Sequence, residues 1–328
     1  MALPLDRRLR IGISTIHREP DVVTGPWLPR IDELVRFVEL VDRAGFDSLW
    51  CGDHISMPIA FLDPMAMLAQ AAVVSRRLTF GIGVYLLPLR NVGAAAKQAA
   101  SLDHLTEGRF ILGVGIGGEF PKEYEVCGVP HEERGARLTE QMQALRALWT
   151  GAPATFQGKH YRFTDVLMRP ASRTPGGPPM WVGGRSDAAL KRAATLADGY
   201  HSYVVTPEMY RDALTKIEAA AQAAGRELTS YATGHLLFAR IDDSYEQALD
   251  TAAASLGKRY AMDFRKAAQR YAALGTPAQV AETICTFHAA GVRHIVVDLC
   301  GPYERRQEQV ERFAAEVMPL LRDLRVEA

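Results

Sequence analysis

Eight short apolar runs, each followed by helical sequence, predict an α/β protein built as a closed (β/α)8 barrel of the TIM type with insertion regions. Two further observations support it. The chain has 328 residues with 48% hydrophobic composition, enough for a large buried core. No Pro- or Ser-rich linker divides it, so residues 1–328 read as a single barrel domain. Strands that alternate with helices imply right-handed crossovers and a parallel sheet, and eight such units fit a closed barrel better than an open sheet.

The elements follow in order. Leu9–Ser14 reads as the first strand. Ile31–Ala44 follows as a helix, with Leu34, Phe37, Val38 and Val41 at helical spacing and Gly45 just past its end. Asp47–Cys51 is the second strand, and Asp63-Pro64 opens the next helix, with Asp as N-cap and Pro at the first position. Leu78–Val84 and Arg109–Val114 are strands three and four, followed by helices Val92–Leu105 and Arg134–Trp149. Met180–Gly183 and Gly199–Tyr203 are strands five and six, flanking the helix Ser186–Leu196. Helix Pro207–Ala224, a strand within Ser230–Ile241, strand His294–Leu299 and a closing helix Val310–Leu324 complete the series. Two stretches stand outside it. Residues 151–179 are rich in Gly and Pro and suggest an inserted hairpin; residues 242–275 are mostly helical. Such insertions serve as lids and substrate walls or simply decorate the surface.

Charge and cysteine content narrow the function. Lys+Arg and Asp+Glu balance at 38 each, so no field draws nucleic acid or an anionic membrane. No run approaches a membrane span and the start has no long apolar segment, which points to a soluble, cytoplasmic protein. Cys51, Cys127, Cys285 and Cys300 are scattered and form no metal-ligand set.

Barrel active sites lie at the C-terminal ends of the strands. The candidates there are Ser14, Thr15 and His17; Gly52, Asp53 and His54; Gly83, Val84 and Tyr85; Gly115, Ile116, Gly117, Gly118 and Glu119; Gly183, Gly184, Arg185 and Ser186; His201 and Tyr203; and Asp298 with Cys300. Their spacing yields neither a nucleophile–base arrangement nor a metal cluster. A set rich in glycine and hydroxyls suits a site where a bound cofactor does the chemistry. The strand–Gly-Gly–helix segment Trp181–Ser186 is either a plain tight turn or an anion cradle, where first-turn N–H groups and the helix dipole favour a phosphate. His54 is either a structural histidine bonded to Asp53 or backbone, or a proton-transfer group, since imidazole titrates near neutral pH. Glu119 either contacts substrate or caps the following helical turn.

Three stretches in this order and spacing, AGFDSLWCGDHI (44–55), residues 77–130 and PPMWVGGRSDAALKRAATLADGYHS (178–202), resemble the luciferase-like superfamily of flavin- and deazaflavin-dependent oxidoreductases. The resemblance runs over nearly the whole length. It implies a barrel that binds a deazaflavin coenzyme of the 8-hydroxy-5-deazaflavin type, or reduced FMN, at its C-terminal mouth. By position it assigns Gly183, Gly184, Arg185 and Ser186 to the cofactor phosphate, Gly115–Gly118 to the cofactor tail, and a non-prolyl cis bond at Gly83-Val84 behind the ring. Asp53 and His54 match the Asp-His pair of deazaflavin-using members and become the catalytic candidates. Tyr85, Glu119, His201 and Tyr203 become the substrate candidates. The chain departs from its relatives at Pro58, where some deazaflavin enzymes have tryptophan, and at Ile116, where the luciferase phosphate site has arginine.

The function implied is hydride transfer between the deazaflavin coenzyme and a small, moderately hydrophobic organic substrate. The alternatives are a reduced-FMN monooxygenase supplied by a separate flavin reductase, and a non-catalytic flavin-binding sensor or partner subunit. A homodimer is implied as well, because relatives are often dimers.

Overall fold

The computed structural model describes residues 3–14, 31–57 and 61–325. Its strands are β1 (Arg10–Ser14), β2 (Ser48–Cys51), β3 (Thr79–Leu86), β4 (Phe110–Gly115), β5 (Ala154–Gln157), β6 (Arg162–Val166), β7 (Met180–Gly183), β8 (Gly199–Tyr203), β9 (Ala232–Ile241), β10 (Ala273–Gly275) and β11 (His294–Leu299). Eight of them, in the order β1-β2-β3-β4-β7-β8-β9-β11, pair in parallel, and β11 returns to β1. The sheet therefore closes, as the alternation predicts. β5 and β6 form the antiparallel hairpin expected in 151–179. The second insertion holds helices Tyr245–Tyr260 and Arg265–Tyr271 and ends in β10, which adds to β9.

Local rules account for the helix starts. Asp63 caps the helix Pro64–Val74 by accepting from the N–H groups of Met65 and Ala66. Ser186 caps Asp187–Leu196 through Ala189 N, and Thr276 with Gln279 forms a capping box on Pro277–Ala289. The closing segment differs from the single helix expected over Val310–Leu324. Here Arg306–Arg312 is α-helical, Phe313–Val317 widens to a π-turn, Met318–Leu321 tightens to 3-10 geometry, and Arg322–Arg325 resumes. Pro319 lacks the N–H that a continuous helix needs, so the hydrogen-bond ladder is re-routed around it.

The barrel interior is packed with rings. Trp50 stacks on His201 with centroids 5.0 Å apart, tilts against Trp181 at 5.4 Å and meets His294 edge-on at 5.4 Å. Glycines on facing strands make the room: a Cβ on Gly81 would lie 2.4 Å from the Trp50 ring, and one on Gly234 would lie 2.7 Å from His201 Nδ1. This ring layer separates two cavities at opposite mouths. Among the described residues, no helix is long and apolar enough to cross a membrane.

Candidate active site

A cavity of about 570 Å³ opens at the C-terminal ends of the strands. A second cavity, about 720 Å³, opens at the strand starts. The larger one is lined by residues such as Arg10, Thr79, Asp198 and Tyr231, whereas the candidates of the strand ends converge on the smaller one. Ser14, Gly52, Asp53, His54, Gly83, Val84, Gly115, Ile116, Gly117, Glu119, Gly183, Gly184, Arg185, Ser186, His201, Tyr203 and Asp298 all line it. Thr15, His17 and Pro58 lie outside the described residues.

His54 follows β2 and sits against the edges of Phe61 and Phe120, at 5.2 and 5.4 Å between centroids. Its Nδ1 lies 3.2 Å from Glu123 Oε1 and 3.3 Å from Oε2. Glu123 comes from the short helix Pro121–Val126 and is 0% exposed. Its Oε1 also accepts from Ile55 N at 2.6 Å and Ser56 N at 3.1 Å. Burial pushes the Glu123 carboxyl up, but His54 and the two N–H groups outweigh it, and the group titrates below its ordinary value. One carboxylate thus fixes both the imidazole and the loop that carries it. A carboxylate accepts, so Nδ1 carries the proton in the neutral ring and Nε2 presents a lone pair. Nε2 has no hydrogen-bond partner among the described residues. Sequence reasoning missed Glu123, which lies 69 residues from His54 and on no strand end.

Asp53 was expected beside His54 as a catalytic group. Its Oδ1 accepts from Arg90 Nη2 at 2.7 Å and its Oδ2 from Leu86 N at 2.8 Å. Both oxygens are taken, and they bind the end of β2 to the end of β3. Asp53 thus ties the start of the His54 loop to the segment after β3. Burial pushes its carboxyl up against the opposing pull of Arg90 and Leu86 N–H.

The Gly83-Val84 peptide bond is cis, as the resemblance implies, and the β3–β4 register shifts between Ile82 and Tyr85. Val84 faces the cavity and meets two bare backbones: a Cβ on Gly115 or Gly183 would come within 2.4 or 2.6 Å of its side chain. Tyr85 corrects the expectation of a substrate contact. The strand runs on to Leu86, and pleat alternation turns Tyr85 into the helix layer, where it is 1% exposed, has its hydroxyl 3.4 Å from Gln98 and lies under Arg90. Gly118 also departs from expectation, since it faces His131 and Arg134 and is not among the residues that line the cavity. Tyr124 anchors that loop by donating to the Ile116 carbonyl.

The Gly183–Ser186 turn has the form of an anion cradle. Gly184 has φ +121°, a conformation that disfavours any side chain. Ser186 Oγ accepts from Ala189 N at 3.3 Å, which leaves its O–H free to donate at the N-terminus of a ten-residue helix. Arg185 is exposed and uses Nη1 on the Val204 carbonyl at 3.0 Å.

On the floor, His201 is 2% exposed, and neither of its ring nitrogens has a hydrogen-bond partner among the described residues. Burial pushes its pKa down to about 4, so the ring is neutral. The far wall carries Tyr203, Leu236, Tyr260 and an ion pair, Arg259–Asp298, at 2.7 Å. Arg259 was not foreseen. Among the described residues, no group of three or more His, Cys, Asp or Glu is placed to hold a metal.

A family model described as luciferase-like monooxygenase matches residues 9–294. An F420-dependent glucose-6-phosphate dehydrogenase of Nakamurella multipartita is 28% identical over 326 residues, covering 89% of this chain and 93% of that protein. An FMNH(2)-dependent dimethylsulfone monooxygenase of Pseudomonas putida is 28% identical over 267 residues, covering 71% of each. The crystal structure of monooxygenase RslO1 from Streptomyces bottropensis superposes with a TM-score of 0.82 at 24% identity, covering 95% of this chain and 99% of that one, which shows the fold.

Proposed function

The chain belongs to the luciferase-like monooxygenase family and is an oxidoreductase, and on that premise we propose that it transfers a hydride between a deazaflavin coenzyme and a small, moderately hydrophobic organic substrate. The observation that carries this reading is the His54–Glu123 pair, with Nδ1 held by a buried carboxylate at 3.2 Å and Nε2 without a partner among the described residues. The fit of the cavity supports it. Its volume of about 570 Å³ suits a tricyclic ring with a short tail, and Val84 packed on Gly115 and Gly183 offers a bare backing surface.

Ser186 O–H, the first-turn N–H groups of the helix Asp187–Leu196 and Arg185 would hold the cofactor phosphate. Gly115–Gly117 and Gly83-Val84, which line the same cavity, would take the rest of the coenzyme. The bound coenzyme supplies a two-electron hydride carrier. His54 does the proton work: Nε2 accepts the substrate proton in oxidation and returns it in reduction, while Glu123 steadies the imidazolium that forms. Phe61 and Phe120 shield that exchange from water. Full-length similarity to an F420-dependent dehydrogenase supports the choice of coenzyme.

A second reading, a reduced-FMN monooxygenase served by a separate flavin reductase, is favoured by similarity to the FMNH(2)-dependent dimethylsulfone monooxygenase. Ile116, where the luciferase phosphate site has arginine, counts against it. Anaerobic titration of the protein with each cofactor separates the two. Micromolar binding of the 8-hydroxy-5-deazaflavin coenzyme is expected. Binding of reduced FMN alone would overturn the first reading in favour of the second.

A further inference from the structure

The ion pair on the far wall joins the second insertion to the barrel. Arg259 lies near the end of the helix Tyr245–Tyr260, and Asp298 lies near the end of β11. Arg259 Nη1 donates to Asp298 Oδ2 at 2.7 Å and Nη2 to Oδ1 at 3.2 Å, a two-pronged contact with side chains 11% and 7% exposed. Both residues line the cavity, and the guanidinium carbon lies 5.9 Å from the centre of the Phe238 ring. Of the other charged residues on the lining, Asp53 is bound by Arg90, while Arg185 and Glu119 are exposed.

A lone guanidinium on the wall of a cavity is a strong receptor for carboxylate or phosphate. Asp298 already occupies that fork. An entering anion would have to shed its water beside a buried carboxylate and compete with an internal partner already in register. A guanidinium has five N–H donors, and this pair takes two, so a neutral oxygen can still be received.

We propose that Asp298 makes the substrate end of this cavity selective for charge: by masking Arg259 it admits an uncharged molecule with a hydroxyl or carbonyl oxygen and rejects the carboxylate or phosphate counterpart. This rests on the reading of the cavity as the site of an organic substrate. Selectivity of this kind comes from a repulsive element as much as an attractive one.

Calorimetric titration of the full chain with hexanamide and hexanoate tests it. Wild type should bind hexanamide at least tenfold tighter than hexanoate. Asp298→Asn should raise hexanoate affinity at least tenfold, and adding Arg259→Met should abolish the gain. Equal affinities in wild type overturn the proposal, as does a folded Asp298→Asn protein with unchanged preference. If Asp298→Asn does not fold, the wild-type preference decides. Leu236→Trp, which fills the same cavity, locates the probes. If it leaves both affinities intact, or if wild type binds neither probe, the reading of the cavity fails. If it abolishes binding while wild type takes both probes alike, the charge proposal fails alone.

Discussion

Two buried carboxylates serve the same cavity, Asp298 from its lining and Glu123 from behind His54, and they act oppositely on the cation-forming group beside them. Glu123 takes Nδ1 of His54 and two backbone N–H groups, and the other ring nitrogen has no partner among the described residues. Asp298 takes two nitrogens of one guanidinium, and charge and geometry cancel together. The difference lies in the partner. An imidazole has two nitrogens on opposite edges, so fixing one aims the other. A guanidinium presents its donors as a fork, and a carboxylate that matches the fork covers its strongest face. In the function we propose, the first arrangement prepares a proton-transfer group, and in the selectivity we propose, the second removes an anion receptor.

Substitutions on the two walls should separate these roles. On the Glu123 side, His54→Ala should lower turnover with the reduced deazaflavin coenzyme by about 10²–10⁴-fold while its dissociation constant holds, measured by stopped-flow absorbance and anaerobic titration. Unchanged turnover would remove His54 from the chemistry. On the other side, Asp298→Ala should cost about 3–5 kcal/mol of stability in urea unfolding, because it strands a buried guanidinium. Arg259→Met with Asp298→Leu should recover most of that; no recovery would mean that the loss comes from packing. Glu123→Gln keeps the shape but loses the charge in bonds to His54 and two N–H groups, so about 1.5–3 kcal/mol should be lost, with turnover falling as the ring loosens. Ser186→Ala, remote from both walls, should cost only about 0.5–2 kcal/mol through its cap and weaken cofactor binding by a comparable amount. Intact cofactor affinity would move the phosphate away from this turn.

What the sequence made legible follows from range. Strands such as Met180–Gly183, Gly199–Tyr203 and His294–Leu299 and the helix Val92–Leu105 match their expected bounds, because each is punctuated locally by Gly, Pro, Asp or Asn. The strand ends also led to most of the cavity lining. Tyr85 was misplaced because the register shift after Ile82 lengthens β3 and settles which face each residue takes, and no local signal marks that shift. Glu123 and Arg259 were invisible for another reason. Their meaning lies in partners 69 and 39 residues away, and a charged residue on a short or inserted helix reads as solvated surface until the fold buries it.

Buried imidazoles have a consequence for acid: His201 and His294 lie in the ring layer inside the barrel, and His235 lies outside it, stacked on Phe287 of the helix Pro277–Ala289 with centroids 4.3 Å apart. His201 is pushed down to about 4 and His235 and His294 to about 3, in each case chiefly by burial, against an ordinary value of 6.5. Once the chain unfolds, all three return to that ordinary value. Below pH 6.5 the unfolded chain therefore binds up to three more protons than the folded barrel. The stability these rings contribute is complete above that pH and drains away as pH falls toward 4. Urea midpoints taken from pH 7.5 to pH 5 should decline steeply over that range, and a flat profile would mean that the rings are charged in place. The centre of the barrel thus responds to the acidity of its surroundings although it lies out of contact with them.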